Sequence, residues 1–320
     1  MRALRFARYG PPEVLRIEEL PEPVPSAGQA KVRVRAVSLN PLDWKLRAGH
    51  LRFIPLFRAP PRGLGCDFAG EIVGVGGGAT ERYMGERVFG SLLPFGREGA
   101  LAQYIVVKFD RLLPIPSGLD EEHAAALPVA AGAALQALSD HAHLVAGQRV
   151  LILGAAGGVG HFAVQIAKHL GAYVVGACSA GNADFVRGLG ADEVIDYARE
   201  DFTRRDDRFD VVFDVAGAAT FWSARRVIGE RGCYISTGGD AKAVATTVLG
   251  AMLARLSSSQ RAIAFSVRDD PRLWRRIVRL VQQGALLAHV EHTIGMEDVA
   301  QAQRAMQTGH GRGKIVVRLD

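Results

Sequence analysis

The stretch Val150–Ala172, VLILGAAGGVGHFAVQIAKHLGA, restricts this chain more than any other part of it. Val150–Leu153 is a short apolar run with no polar face, as a strand covered on both sides of a sheet must be. Gly154–Gly160 is all Gly and Ala apart from Val159, and a helical pattern runs on from there. Small residues between a strand and a helix permit a tight turn and bring backbone N–H groups close to a ligand. The helix N-terminus adds the positive end of its dipole. Read as A-x-G-x-x-G, the positions are Ala155, Gly157 and Gly160. The motif is weak alone, but here it has the strand–loop–helix setting that cradles a dinucleotide pyrophosphate. A tight turn that binds nothing is the competing reading. Ala156, Gly157, Gly158, Val159 and Gly160 are the expected phosphate contacts.

The flanking sequence predicts a parallel sheet around this unit. Strands at Val174–Ala177, Val194–Ile195, Val211–Asp214 and Tyr234–Ser236 alternate with helices from Asn182 and Ala219, the pattern of a doubly wound α/β fold. The first 115 residues read differently. Short strands at Ala3–Phe6, Leu15–Glu18, Lys31–Val37, Phe68–Val75, Arg87–Gly90 and Tyr104–Val107 are separated by Gly/Pro clusters, and every proline except Pro271 lies at or before Pro128. Val alternates with Arg in KVRVRAV, the period-2 mark of a half-buried strand. Asp120 is placed to cap a helix through EEHAAAL. Two domains are therefore expected: a β-rich one from 1–119 and 268–320, and a dinucleotide-binding one from 120–267.

Bulk properties remove other classes. The net charge is +6 without a run of five or more like charges, which suits attraction of an anionic cofactor and gives no nucleic-acid footprint. Cys66, Cys178 and Cys233 are odd in number and far apart, so free thiols and a cytoplasmic setting are expected. The longest uncharged run, Val150–Ala167, carries four glycines and reads as strand, loop and helix, so no membrane span is expected.

The second strand of the nucleotide unit ends at Cys178–Ser179. An NAD site usually places Asp or Glu there for the ribose 2′-hydroxyl. The next acid along the chain after Ser179 is Asp184, inside the following helix. Ser179, Asn182, Arg187 and Tyr197 are candidates to hold a 2′-phosphate, and NADPH is favoured over NADH.

Several stretches together resemble the zinc-independent quinone oxidoreductases of the medium-chain dehydrogenase/reductase superfamily. They are GAAGGVGHFAVQIAK, LGADEVIDY, FDVVFDVAG and GHGRGKIVV in the second half, and VSLNPLDWKLRAG, GCDFAGEIVGVG and GERVFG in the first. The resemblance implies a GroES-like catalytic domain interrupted by a Rossmann domain, with the cofactor in the cleft between them. It also implies backbone contacts to the nicotinamide amide around Thr237, Gly238, Phe265 and Ser266. Zinc members carry Cys at the position of Asn40 and His-Glu at Cys66-Asp67. Neither that pattern nor a cluster of four cysteines is present, so no metal is expected.

Reduction of a quinone or an α,β-unsaturated carbonyl without metal requires a hydride donor and fixed groups near the arriving charge. By resemblance, Asn40 stands at the nicotinamide face. Lys45 occupies a position where many relatives carry Tyr, from which it would polarise the carbonyl or relay a proton; the competing reading is a surface lysine. Asp43 is read as a helix cap in preference to a partner of Lys45. The segment 244–256 is either a wall of the substrate cleft or a core helix. The resemblance also implies a homodimer that pairs at an edge strand near 262–267. An enoyl-thioester reductase and a non-catalytic NADPH-binding sensor or scaffold are the alternatives.

Overall fold

The structure is a computed structural model. It describes residues 1–320 except 55–56, 58, 78–82, 93–96, 238–258, 269, 310 and 320. Two compact units separate: Met1–Val129 with Asp269–Gln282 and Ala288–Asp320, and Ala130–Arg268 with Gln283–Leu287.

In the first unit, β1 (Arg2–Phe6) pairs antiparallel with β2 (Leu15–Glu19). The long β3 (Gln29–Ser38) buries Val32, Val34 and Ala36 between half-exposed Lys31, Arg33 and Arg35, the alternation expected of a sheet covered on one face. Helix α1 (Pro41–Ala48) follows it directly, and the short β4 (Arg62–Gly63) adds to the other side of β1. Next come β5 (Asp67–Val75), β6 (Arg87–Ser91), β7 (Tyr104–Lys108) and β8 (Leu112–Pro114). Asp120 caps α2 (Glu121–Ala125) by accepting from the His123 N–H at 2.8 Å, as its sequence predicts. Buried Ala124 and Ala125 seat this helix against β3 and β5, so α2 belongs to the first unit although it follows the change in pattern.

Ala130 opens the second unit inside helix α3 (Pro128–Leu135). The strands are β9 (Arg149–Leu153), β10 (Tyr173–Cys178), β11 (Glu193–Asp196), β12 (Phe209–Asp214), β13 (Ile228–Ser236) and β14 (Arg261–Ala264). All pair in parallel, in the order β11-β10-β9-β12-β13-β14. Helices α4 (Gly160–His169), α5 (Ala183–Gly188) and α6 (Phe221–Ala224) alternate with them. The order reverses between β9 and β12, the switch point where doubly wound sheets bind ligands at the carboxyl ends of their strands. Leu151, Val175, Ile195, Val212 and Tyr234 carry the core of this unit. The segment 244–256 lies outside the described residues.

The chain then returns to the first unit. Helix α7 (Pro271–Gln282) buries Leu273, Trp274 and Ile277. It is followed by β15 (Val290–Ile294), α8 (Val299–Thr308) and β16 (Lys314–Arg318). β15 is absent from the sequence reading because Glu291, His292 and Thr293 give it no apolar alternation. The first unit's larger sheet runs β15-β16-β3-β5-β6-β8, with β7 on the amino half of β3 and β16 on its carboxyl half.

Candidate active site

The glycine loop joins the carboxyl end of β9 to α4. The backbone N–H groups of Ala156, Gly158 and Val159 make no hydrogen bond within the described residues. Donors left open at the start of a ten-residue helix are what a pyrophosphate needs. The two glycines of the motif differ in kind. A Cβ on Gly160 would overlap the Gly154 carbonyl oxygen and come within 2.8 Å of Ala155 Cα, so Gly160 is required for the helix to approach the strand. A Cβ on Gly157 meets nothing nearer than the Gly154 oxygen at 3.5 Å, so space there is held open without a packing reason.

The remaining expected cofactor contacts fall along the same edge of the sheet. Ser179, Asn182 and Arg187 follow β10, Tyr197 follows β11, Thr237 follows β13, and Phe265 and Ser266 follow β14. Gly238 lies outside the described residues. Asn182 is buried, while Tyr197 is 54% exposed. Arg187 is exposed and pairs with Asp184 at 2.9 Å, an exposed ion pair that exchanges partners at little cost. Burial pushes the Cys178 thiol up, with Asp196 adding to the shift and Arg187 opposing it, which puts both charges near the end of β10. Asp196 faces Cys178 across the β10–β11 ladder, an acid the linear reading missed because it comes from the neighbouring strand. Its carboxylate accepts from Ala198 N–H at 3.1 Å and lies 3.5 Å from Arg199. Phe265 packs against the His141 ring at 4.6 Å.

Across the switch point, Asp214 ends β12 and is fully buried. Its carboxylate accepts from the N–H groups of Ala216, Gly217, Ala218 and Ala219 at 2.8–3.1 Å. The Tyr234 hydroxyl lies 2.8 Å from Oδ2. Burial and this carboxylate hold the phenol protonated, its pKa well above the usual tyrosine range. Asp214 therefore shapes the loop beside the phosphate turn. The sequence signal was the second acid of FDVVFD, which closes the apolar run VVF.

The first unit holds a buried charged cluster. Val316 faces Ser38 in the β16–β3 ladder and Ser38 faces Asp67 in the β3–β5 ladder. Continuing the antiparallel register sets Lys314 beside Asn40. Asn40 Oδ1 accepts from Lys314 Nζ at 2.7 Å, and Asn40 Nδ2 donates to Asp67 Oδ2 at 3.0 Å. Lys314 Nζ also donates to the Leu39 carbonyl at 2.9 Å. Asp43 accepts from Asn40 N–H at 2.7 Å and from Gly65 N–H at 2.9 Å, so it caps α1 and ties it to the start of β5. Lys45 lies on the same helix, half-buried, with Nζ 5.7 Å from the Trp44 ring centroid.

Burial pushes Asp67 up to about 6, against the pull of the Lys314 charge and the Asn40 amide. Burial likewise raises Asp43 and lowers Lys314. A carboxyl raised above its unfolded value contributes stability that is present below pH 3.8 and is lost as pH rises through about 6. Asp67→Asn removes that loss, so the Tm of the variant minus that of the parent should increase between pH 4 and 7. A flat difference across that range would show that Asp67 does not titrate there.

A sequence model described as the alcohol dehydrogenase GroES-like domain matches residues 26–117, and one described as zinc-binding dehydrogenase matches 189–317. The quinone-oxidoreductase homolog, chloroplastic, of Spinacia oleracea is 32% identical over 330 residues, covering 99% of this chain and 98% of that protein. The chain belongs to the quinone oxidoreductase family of the medium-chain dehydrogenase/reductase superfamily. It is an oxidoreductase with a pyridine-nucleotide-binding fold, built from a GroES-like and a Rossmann-like unit. The quinone oxidoreductase structure from Coxiella burnetii superposes with a TM-score of 0.89 at 30% identity, covering 100% of this chain and 99% of that one. The NADPH-dependent alkenal/one oxidoreductase, chloroplastic, of Arabidopsis thaliana is 32% identical over 99% of this chain and 79% of its own length.

Within this quinone oxidoreductase family member, no group of three or more His, Cys, Asp or Glu side chains among the described residues is placed to hold a metal ion. No helix among them is long and apolar enough to cross a membrane. The sequence reading named Asn40 and Lys45 for chemistry and passed over Lys314 and Asp67. Their signals were a lysine opening the apolar run KIVV and an acid opening a strand, and neither has meaning until the register joins them.

Proposed function

We propose that this oxidoreductase transfers hydride from NADPH to a quinone or an α,β-unsaturated carbonyl without a metal. The observation that supports it most is the alignment of the expected nucleotide contacts along the carboxyl ends of the parallel strands, beside a glycine loop with open N–H donors. Ala156–Gly160 hold the pyrophosphate, and the backbone of Thr237, Phe265 and Ser266 meets the nicotinamide amide. Ser179, Asn182, Arg187 and Tyr197 receive the 2′-phosphate, with Arg187 leaving Asp184 for it. The preference for NADPH rests on Arg187 and on the absence of a carboxylate on β10 itself. Asp196 is the group that would oppose it. Bound NADPH supplies the hydride. Asn40 orients the reacting carbonyl, and Lys45 steadies the negative charge on its oxygen or delivers the proton. A homodimer is proposed, formed at β14, the edge strand of this sheet among the described residues.

The test is NADPH oxidation by EDTA-treated protein against a panel of quinones, enones and enoyl thioesters, with NADH in parallel. Turnover that favours NADPH supports the reading, and the best acceptor names the subclass. NADPH binding without turnover favours a sensor or scaffold. Activity that disappears with EDTA and returns with zinc overturns the metal-free chemistry. Within this scheme, Lys45→Ala lowers kcat by about 100-fold, the scale of positioned acid–base catalysis, and leaves NADPH affinity near the parent value. Unchanged kcat removes Lys45 from the mechanism.

A further inference from the structure

Four ionisable side chains are buried together in the first unit: Asp43, Arg62, Asp67 and Lys314, each no more than 3% exposed. Asp67 Oδ1 and Ser38 Oγ are buried there without a hydrogen-bond partner. Burying ions and leaving polar atoms unpaired opposes folding, and apolar residues of similar volume are often at least as stable in such places. Val316, on the same face of β16 as Lys314, is fully buried, so an aliphatic residue at 314 would extend that buried row. Stability alone does not account for the lysine.

Its geometry does. A side-chain amide can face either way unless its neighbours decide. Lys314 Nζ only donates, so it fixes Oδ1 of Asn40 toward itself. Asp67 Oδ2 accepts from Nδ2 and holds the other end. An ammonium on the carbonyl side draws electron density from the amide and makes its N–H groups stronger donors, as in any polarised chain of hydrogen bonds. The second Nδ2 hydrogen has only a 3.4 Å contact with the Ser38 carbonyl, long for N–H···O, and is the one the side chain can give to a substrate or cofactor oxygen.

We infer that Lys314 is a positioning residue of the reductase site, whose ammonium sets and polarises the Asn40 amide with Asp67 as its counter-ion. The inference rests on the reading that Asn40 serves hydride transfer. Lys314→Met takes away the positive charge that acts on buried Asp67 across Asn40, so both stability and rate fall. The deciding variant is Lys314→Met/Asp67→Asn, which removes both charges and leaves the Asp43–Arg62 balance intact.

The expected result is a Tm restored toward the parent, NADPH KM within about threefold, and kcat still lower by about 10-fold to 100-fold, the cost of a misplaced group in an active site. Lys314→Arg, which keeps the charge, recovers part of the rate lost in Lys314→Met. If kcat returns to the parent value together with Tm in the double variant, the pair is structural and the inference is overturned. If the parent itself turns over no acceptor with either nucleotide, the reading of the site fails, and the inference fails with it.

Discussion

Replacing Gly157 with Val is expected to leave the protein folded and to weaken NADPH binding by at least about 100-fold, roughly 2.7 kcal/mol. The added Cβ meets no protein atom closer than ordinary contact, the nearest being the Gly154 oxygen at 3.5 Å. Its bulk instead fills the space over the open N–H groups of Ala156, Gly158 and Val159, where a pyrophosphate must approach the backbone. The measurement is a fluorescence or calorimetric titration with NADPH, alongside a melting curve without ligand. Gly160→Val is the contrast. There the Cβ collides with backbone at Gly154 and Ala155, so the melting curve itself collapses. Undiminished NADPH binding by Gly157→Val means that the phosphate site lies elsewhere.

Asp214→Ala is expected to lower stability by about 3 kcal/mol, because donors lose a charged acceptor at the cost typical of such bonds. In a unit of this size that corresponds to a Tm lower by about 10 °C. Four backbone N–H groups from Ala216 to Ala219 and the Tyr234 hydroxyl meet on this one carboxylate. The exposed amides of Ala216, Gly217 and Ala218 can recover water, and the buried Tyr234 hydroxyl keeps the Ala219 carbonyl at 2.7 Å as its acceptor. Tyr234→Phe removes a single partner and should cost about 1 kcal/mol. Equal losses for the two variants would mean that the loop contacts contribute nothing. NADPH affinity should fall with Asp214→Ala, since the loop it shapes borders the phosphate turn at the switch point.

Local chemistry determined much of this protein in advance. Val150–Leu153, the small residues after it and the apolar stripe of α4 dictate strand, turn and helix wherever they occur, because each depends on neighbours within a few positions. The alternation in KVRVRAV likewise names β3 and its buried face. The helix cap at Asp120 and the capping role of Asp43 were readable for the same reason.

What tertiary structure alone decided is everything that depends on which strand lies beside which. β15 was invisible because a half-exposed edge strand has no apolar alternation. α2 fell on the other side of its unit boundary because a change in secondary structure is not a change of core. Asp196 stands next to the end of β10 only through a parallel ladder, so nothing along the linear sequence places it there. Lys314 reaches Asn40 only because β16 closes on the carboxyl half of β3. A lysine before an apolar strand reads as a surface residue until the sheet register buries it, and burial is what turns its charge into a constraint on another side chain.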